Sequence, residues 1–341
     1  MSAAIRRSRR RRLRPDQLLL LLLLGLASLL WEHCTNDASD TKVSPAAVEY
    51  SSDDLGPEGS RVDVPAAGKP LRFMMYNVQN YFVAGERRRA SYPVSMKSDE
   101  AKDAVADCIA SVKPDVIGLA EVGGREALND LSARLKKRGM SYPYAKVLER
   151  DGEDRALALL SAHPLAADDS RANYPLYGDH RRQMLRGILD VTVKPEDGRL
   201  FRIVGVHLKS RVSEDRAAAA SLRRREAETV ALYLARLMRS KPGLPVVLFG
   251  DFNDGPADSA VRTLGSGNSS SVPMERLNPK DSRGEAWTIY YRPEHVYQTF
   301  DHIFVNRALK ERLGDRSRSG VVDIPSVRKA SDHRPVWTDI R

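Results

Sequence analysis

Eight polar residues stand where apolar segments begin or end, and their types suit one chemistry. Asn77 closes the run LRFMMYNV, Glu121 closes DVIGLAEV and His207 closes LFRIVGVHL. Asp251 and Asn253 follow Val246-Val247-Leu248-Phe249-Gly250, Asp301 opens TFDHIFV, and Asp332-His333 precedes RPVWTDI. A polar residue at the end of an apolar strand faces a mouth or cleft rather than the core. Carboxylates gathered at one mouth repel one another, so a cation is their natural neutraliser. Oxygen donors without cysteine suit Mg²⁺, Mn²⁺ or Ca²⁺. Histidines beside such a cation suit phosphate-ester chemistry: the metal polarises the phosphoryl oxygen, a base activates water, and an imidazolium stabilises developing charge. Singly, each residue also has an ordinary role. Asn77 can form a turn, Glu121 can be a solvated strand end and His207 a satisfied core histidine. Asp251, within Gly-Asp-Phe-Asn-Asp-Gly, can build a turn, and Asp332-His333 can cap a loop. Those ordinary roles must all hold together to dismiss the ordered set.

The elements that must position these residues are legible as alternating segments. Leu71–Val78 and 115–122 read as strands, with helical spacing in Asp99–Ser111 between them. Glu126–Arg138 is helical and stops at Gly139. Strands follow over 156–161, 185–193 and 200–208, the last two joined as a hairpin by Pro195-Glu196-Asp197-Gly198. A long helix spans Asp215–Arg239, and strands over 244–250, 299–305 and 334–340 complete the chain. Hairpins mixed among interleaved strands and helices predict mixed sheets with helices outside, not a purely parallel doubly wound sheet. Cys108 falls on a helix face and reads as packing.

Composition bounds the rest. The chain has 341 residues, 42% hydrophobic and 29% charged, a globular balance. Two cysteines exclude a disulfide scaffold and a four-cysteine zinc site. The net charge is +10, but seven arginines lie within the first 14 residues, and without them the remainder carries +3. Global charge is therefore no argument for nucleic acid. Those arginines precede LLLLLLLGLASLLW at 18–31, which is short of the roughly 20 apolar residues a membrane span needs. Residues 1–34 read as a secretory signal or an uncleaved N-terminal anchor, with membrane contact through that leader. Cys34 stands where a lipid-modified cysteine would, although Trp31-Glu32-His33 lacks the small residues such a site needs. Residues 35–70 read as a flexible linker, and 71–341 as the catalytic domain.

Six segments, in order, resemble the endonuclease/exonuclease/phosphatase superfamily: Tyr76-Asn77-Val78-Gln79-Asn80, 114–122, Val206-His207-Leu208-Lys209-Ser210, Gly250-Asp251-Phe252-Asn253-Asp254, 300–305 and 331–336. The resemblance implies a four-layer α/β/β/α sandwich with two packed mixed sheets and helices outside. It implies Glu121 as principal metal ligand, with Asn77 and Asp332 near the metal. It implies Asp251 as the residue that orients or deprotonates the attacking water, and Asn253 as holding that water or a phosphate oxygen. His333 resembles a catalytic imidazole paired with Asp301, and His207 a donor to a non-bridging phosphate oxygen. Arg186 matches a strand position where family members often carry an arginine facing the cleft; a surface arginine reads equally well.

The superfamily cleaves DNA, RNA, phosphoinositides, sphingomyelin and nucleotide esters with one catalytic set, so fold does not fix substrate. The foremost expectation is an exported nuclease acting on DNA or RNA. Arg87-Arg88-Arg89, Lys209, Arg211, Arg216 and Arg223-Arg224-Arg225 are the basic residues near the motifs. A sphingomyelinase-like phosphodiesterase is the alternative, with Trp287-Thr288-Ile289-Tyr290-Tyr291 and Tyr297 either a membrane-entering tip or a strand pair leading into Asp301. The third expectation is an inactive binding module, against which the complete polar set argues. No obligate protein partner is evident.

Overall fold

The structure, a computed structural model, describes residues 68–85, 96–265, 274–291, 294–313 and 318–341. The leader, Cys34, all but the last three residues of the linker, and Arg87–Arg89 lie outside the described residues. Among the described residues no helix is long and apolar enough to cross a membrane.

Sixteen strands are described. One six-stranded sheet holds β1 (Leu71–Tyr81), β2 (Val116–Val122), β3 (Tyr144–Arg150), β4 (Glu153–Ser161), β15 (Ser319–Val321) and β16 (Val336–Ile340), in the order β15-β16-β1-β2-β4-β3. The other holds β5 (Leu165–Asp168), β8 (Leu189–Val193), β9 (Phe201–His207), β10 (Val246–Asp251), β11 (Glu275–Arg276) and β14 (Asp301–Val305), in the order β11-β14-β10-β9-β8-β5. Two hairpins stand apart: β6 (Pro175–Leu176) with β7 (Asp179–Gln183), and β12 (Ile289–Tyr291) with β13 (Val296–Gln298). The helices are α1 (Asp99–Val112), α2 (Arg125–Lys136), α3 (Arg216–Ser240), α4 (Ser259–Gly265), α5 (Arg307–Leu313) and α6 (Val327–Ala330). Both sheets share one plan. A central parallel pair, β1 with β2 or β9 with β10, is crossed by a long helix and flanked by antiparallel strands. Parallel neighbours need such a crossover, which is why helix and strand patterns interleave in the sequence.

Side-chain alternation builds three apolar layers. Phe73 and Met75 of β1 face Leu189, Val191, Phe249 and Ile303 of the second sheet. Met74 and Tyr76 point the other way, onto Cys108 and Ile109 of α1 and Leu128 and Leu131 of α2. On the far side Val204, Val206 and Leu248 pack against Val230 and Leu234 of α3. The result is the four-layer α/β/β/α sandwich. Strands covered on both faces need apolar residues throughout, and β8, β9 and β10 are buried at every position.

Several boundaries differ from the sequence reading. The first strand runs on to Tyr81. The strand expected from Leu185 begins at Leu189. Gly187 sits at φ +69, where a Cβ would come within 2.2 Å of the Arg171 carbonyl oxygen, so the chain bends before pairing starts. Strand β3 was not anticipated. It is a half-exposed edge strand carrying Lys146, Glu149 and Arg150, which hide its apolar positions. Asp215 caps α3, its side chain accepting from Ala218 N–H at 2.8 Å.

The two sheets interlock at Phe249. A Cβ at Gly118 in the first sheet would lie 2.3 Å from the Phe249 ring, and one at Gly205 on the neighbouring strand 2.4 Å from it. Phe73 closes the third side, with ring centroids 5.2 Å apart. Gly118→Ala is expected to destabilise the protein by about 1–3 kcal/mol through overpacking, read as a lower denaturation midpoint. Combined with Phe249→Leu it should cost less than the sum of the two single changes; strict additivity would remove the interlock.

Candidate active site

Strand register assembles the first three site residues. In the β9–β10 parallel pair Asp251 lies opposite His207, and in the β10–β14 antiparallel pair it lies opposite Asp301. The three form one row across the edge of the second sheet. Asn77 and Glu121 come from the first sheet, at the ends of its own parallel pair. The sheets meet where Asn77 Nδ2 donates to Asp251 Oδ2 at 2.9 Å and to Glu121 Oε1 at 3.3 Å.

Glu121 reaches this junction through a backbone irregularity. Ala120 pairs with Leu157 and Val122 with Ala156, so Glu121 is an extra residue against β4, and it sits at φ +66. Such a bulge re-aims a side chain, and the left-handed region costs a non-glycine residue on the order of 1–3 kcal/mol. Across the gap β1 bulges too, with Gln79 and Asn80 at φ +46 and +51. That bend lets Asn80 N–H donate to Glu121 Oε2 at 3.1 Å. Asn253 is a fourth left-handed residue, at φ +50, a conformation asparagine tolerates. Its N–H holds Asp251 Oδ1 at 2.8 Å and its Nδ2 donates to Leu208 O at 3.1 Å.

The two imidazoles have opposite electrostatics. His333 Nδ1 meets Asp301 Oδ2 at 2.7 Å, and its Nε2 lies 3.8 Å from Asp251 Oδ2. Burial works against a charged ring here, but Asp301 and Asp251 outweigh it and hold His333 well above its ordinary value. His207 is also buried, and the nearby positive charges of Arg186, His333 and Arg155 add to that burial, so it stays neutral. Its Nε2 faces Asp251 Oδ2 at 3.6 Å and Glu121 Oε1 at 4.0 Å. Two acceptors on that side place the ring proton on Nε2. Burial, with Asp301 and Glu121 nearby, pushes Asp251 up to about 7 despite His333 and the Asn253 N–H.

The ligand atoms of Asp251, Asp301 and His333 lie within 4.8 Å of one another, a spacing compatible with a cation. A protonated ring with Nδ1 held by Asp301 does not ligate, so the trio is better described as two acidic groups bridged by the His333 imidazolium. The Glu121 and Asp251 oxygens, which share Asn77 Nδ2 and His207 Nε2 as neighbours, are a better fit to a hard divalent ion. Asn77 turns its nitrogen to both carboxylates and its oxygen to Gln79 N–H at 3.0 Å. As a metal ligand it would have to turn the amide over. Asp332 is half-buried one residue from His333. Ser331 Oγ ties the segment before β16 to the end of β1, donating to Asn77 O at 2.8 Å and accepting from His333 N–H at 3.1 Å.

Arg186 is not a surface arginine. It is 8% exposed, 3.3 Å from Glu153, and its Nη1 donates to Leu208 O at 3.3 Å, next to His207. Arg223 is likewise buried, held at 2.6 Å by Asp254, so it contributes nothing to a basic surface. Sequence reasoning missed Arg155 and Lys97. Arg155 Nε donates to Asn80 Oδ1 at 2.8 Å and lies 3.5 Å from Glu121. Lys97 Nζ donates to Ala330 O at 2.6 Å; burial lowers its pKa, opposed by the charges of Asp332 and Glu121. The signal for Arg155 was present: a polar residue opening an antiparallel strand lies at the same mouth as one ending its neighbour.

The buried Asp251 carboxylate gives a stability test without metal. Its folded pKa lies above its unfolded value of 3.8, so the native state loses stability as pH rises from about 4 to about 7. The stability of Asp251→Asn relative to wild type, measured in EDTA, should therefore climb over that window and level off above it. A flat difference would mean that Asp251 is not held protonated by its surroundings.

Many solved structures share the fold. The human Nocturnin catalytic domain with bound sulfate superposes with a TM-score of 0.55 at 18% identity, covering 80% of this chain and 94% of that one. An endonuclease/exonuclease/phosphatase from Bacteroides vulgatus gives 0.56 at 16%, covering 80% and 99%. Sphingomyelinase C from Streptomyces griseocarneus gives 0.53 at 16%, covering 80% and 100%. By sequence the chain matches no curated protein. The model of one family matches residues 76–333, from the start of the Asn77 segment to His333. With its residues at both ends of that match and its sheets in this arrangement, the chain belongs to the Endonuclease/Exonuclease/phosphatase family, and is a phosphoesterase of that divalent-metal-dependent family.

Proposed function

We propose that the protein is an exported, metal-dependent nuclease that hydrolyses phosphodiester bonds in DNA or RNA. The observation that carries the hydrolytic reading is Asp251, set between neutral His207 and the His333–Asp301 pair and joined through Asn77 to Glu121. Glu121, with Asp251 and Asp332 near it, would hold the cation, and Mg²⁺ or Mn²⁺ is the preferred identity for so oxygen-rich a set. When bound, it supplies positive charge to the phosphoryl oxygens.

The chain's own groups supply the rest. Asp251 takes the proton of the attacking water as the new O–P bond forms. Asn253 fixes that carboxylate through its N–H. His207 donates from Nε2 to a non-bridging oxygen, and protonated His333 stabilises charge on the phosphate as the bond to the leaving oxygen breaks. Asp301 holds His333 in the charged form. Lys97 and Arg155 stand beside this site, and their positive charge suits an anionic phosphate. Export rests on the arginine-rich start and the leucine run at 18–31. A lipid phosphodiesterase is the second reading, favoured by the exposed Tyr290 and Tyr297.

Asp251→Ala and His333→Ala should each lower kcat by at least about 10²-fold on any diester while the fold survives; near wild-type turnover in either would remove it from the mechanism. Asp301→Asn should move the alkaline limb of the pH–kcat profile to lower pH, because His333 then loses its proton more readily. Substrate class is read by offering supercoiled plasmid, single-stranded RNA, sphingomyelin vesicles and bis-(p-nitrophenyl) phosphate, each with Mg²⁺ and with EDTA. Metal-dependent cleavage of a nucleic acid is the expected result. Turnover of vesicles or the small diester alone would transfer the assignment to lipids or small phosphoesters.

A further inference from the structure

The β12–β13 hairpin carries an aromatic wall that the hydrolytic mechanism does not use. Trp287 and Tyr297 have ring centroids 4.7 Å apart, and Tyr290 and Tyr297 5.0 Å. These rings line a cleft of about 1010 Å³ whose other walls include Arg328, Arg334 and Asp332. Arg334 is held at 2.7 Å by buried Asp281, and its guanidinium lies 3.9 Å from the Trp287 ring centre. Tyr297 is 63% exposed and Tyr290 37%.

The wall is rooted in the catalytic pair. Thr288 Oγ1 accepts from Phe300 N–H and Asp301 N–H at 3.0 and 3.1 Å. Thr288 O accepts from Arg334 N–H at 2.6 Å, and Ile289 bridges to His333. The distance from the rings to His333 is therefore fixed by backbone pairing, not by a loose loop.

We propose that this cleft seats an unpaired base of a single-stranded nucleic acid, beside the phosphate that His333 contacts. The proposal rests on the nuclease reading above. Every base has a π-face, and stacking on aromatic side chains with arginine nearby is how single strands are held without sequence readout. A base inside a duplex is already stacked and cannot enter. A bilayer is the poorer occupant. The residues that join the two strands are Arg292-Pro293-Glu294-His295, and Glu294 lies 3.5 Å from Arg216 of α3. A membrane tip needs apolar side chains there. The exposed rings are tyrosines, and Tyr290 pairs its hydroxyl with His295 Nδ1 at 3.2 Å. Arg283, Arg328 and Arg334 share the cleft with Glu285, Asp323 and Asp332, so its selectivity rests on the aromatic faces and not on net charge.

The test compares the full-length wild type with Tyr290→Ala/Tyr297→Ala and Tyr290→Phe/Tyr297→Phe, all with Mg²⁺. Steady-state kinetics are read on a short single-stranded oligonucleotide, its duplex, sphingomyelin vesicles and bis-(p-nitrophenyl) phosphate. The alanine pair should raise KM for the single strand roughly 5- to 150-fold, the range for losing the stacking of one base. The phenylalanine pair should keep the wild-type KM, and turnover of the small diester should persist in both. An unchanged single-strand KM in the alanine pair overturns the proposal and leaves the nuclease reading standing. So does an equal loss on the duplex, or a loss confined to sphingomyelin vesicles. Wild-type turnover of the small diester with none of either nucleic acid sinks the nuclease reading and this proposal with it.

Discussion

Everything at the site answers to one buried carboxylate. Asp251 is 2% exposed at the junction of two sheets, with Asp301 and Glu121 close by. Negative charge so concentrated and so poorly hydrated is unstable unless positive charge or donated hydrogen bonds surround it. Each neighbour can be understood as part of that compensation. Asn77 brings an amide from the other sheet, Asn253 a backbone N–H, and His333 a full charge that Asp301 in turn maintains. The same compensation leaves room for a metal to do the work better than a proton does. Catalytic poise and electrostatic stress are here two descriptions of one arrangement.

The scaffold tolerates that stress because the layers beneath are tightly determined. Phe249 lies two residues before Asp251 on β10, keyed between Gly118 and Gly205. Any slip of β10 would break this key and move Asp251 out of register with His207 and Asp301. The left-handed backbone at Glu121 is held from both sides in the same way, by pairing with β4 and by the Asn80 N–H. Strain at a site persists only where surrounding structure over-determines it.

How much of this the sequence shows follows from what each feature depends on. Strands covered on both faces require unbroken apolar runs, so their positions and their polar ends stood out, and the six motifs in order identified the fold. Pairing is another matter. That Asp251 faces both His207 and Asp301 depends on which strands become neighbours, and only the family resemblance brought those residues together beforehand. Arg155 does not stand out because it opens β4 from within the charged stretch Glu149-Arg150-Asp151-Gly152-Glu153-Asp154-Arg155. Glu121 adopts a positive φ with no glycine to announce it. Arg186 and Arg223 look like surface cations in a linear reading, yet each lies buried against an acid far from it in sequence.

The position of His333 has a temporal consequence. It follows every other site residue in the chain, and β16 just beyond it lies between β15 and β1, joining the outer strand to the rest of the first sheet. A ribosome-bound chain lacking these last residues already contains Asn77, Glu121, His207 and Asp251, but has no imidazolium and leaves β1 with an open edge. Closure of the first sheet and arrival of the imidazole at Asp251 and Asp301 are therefore one event, since both wait for the same short stretch of chain.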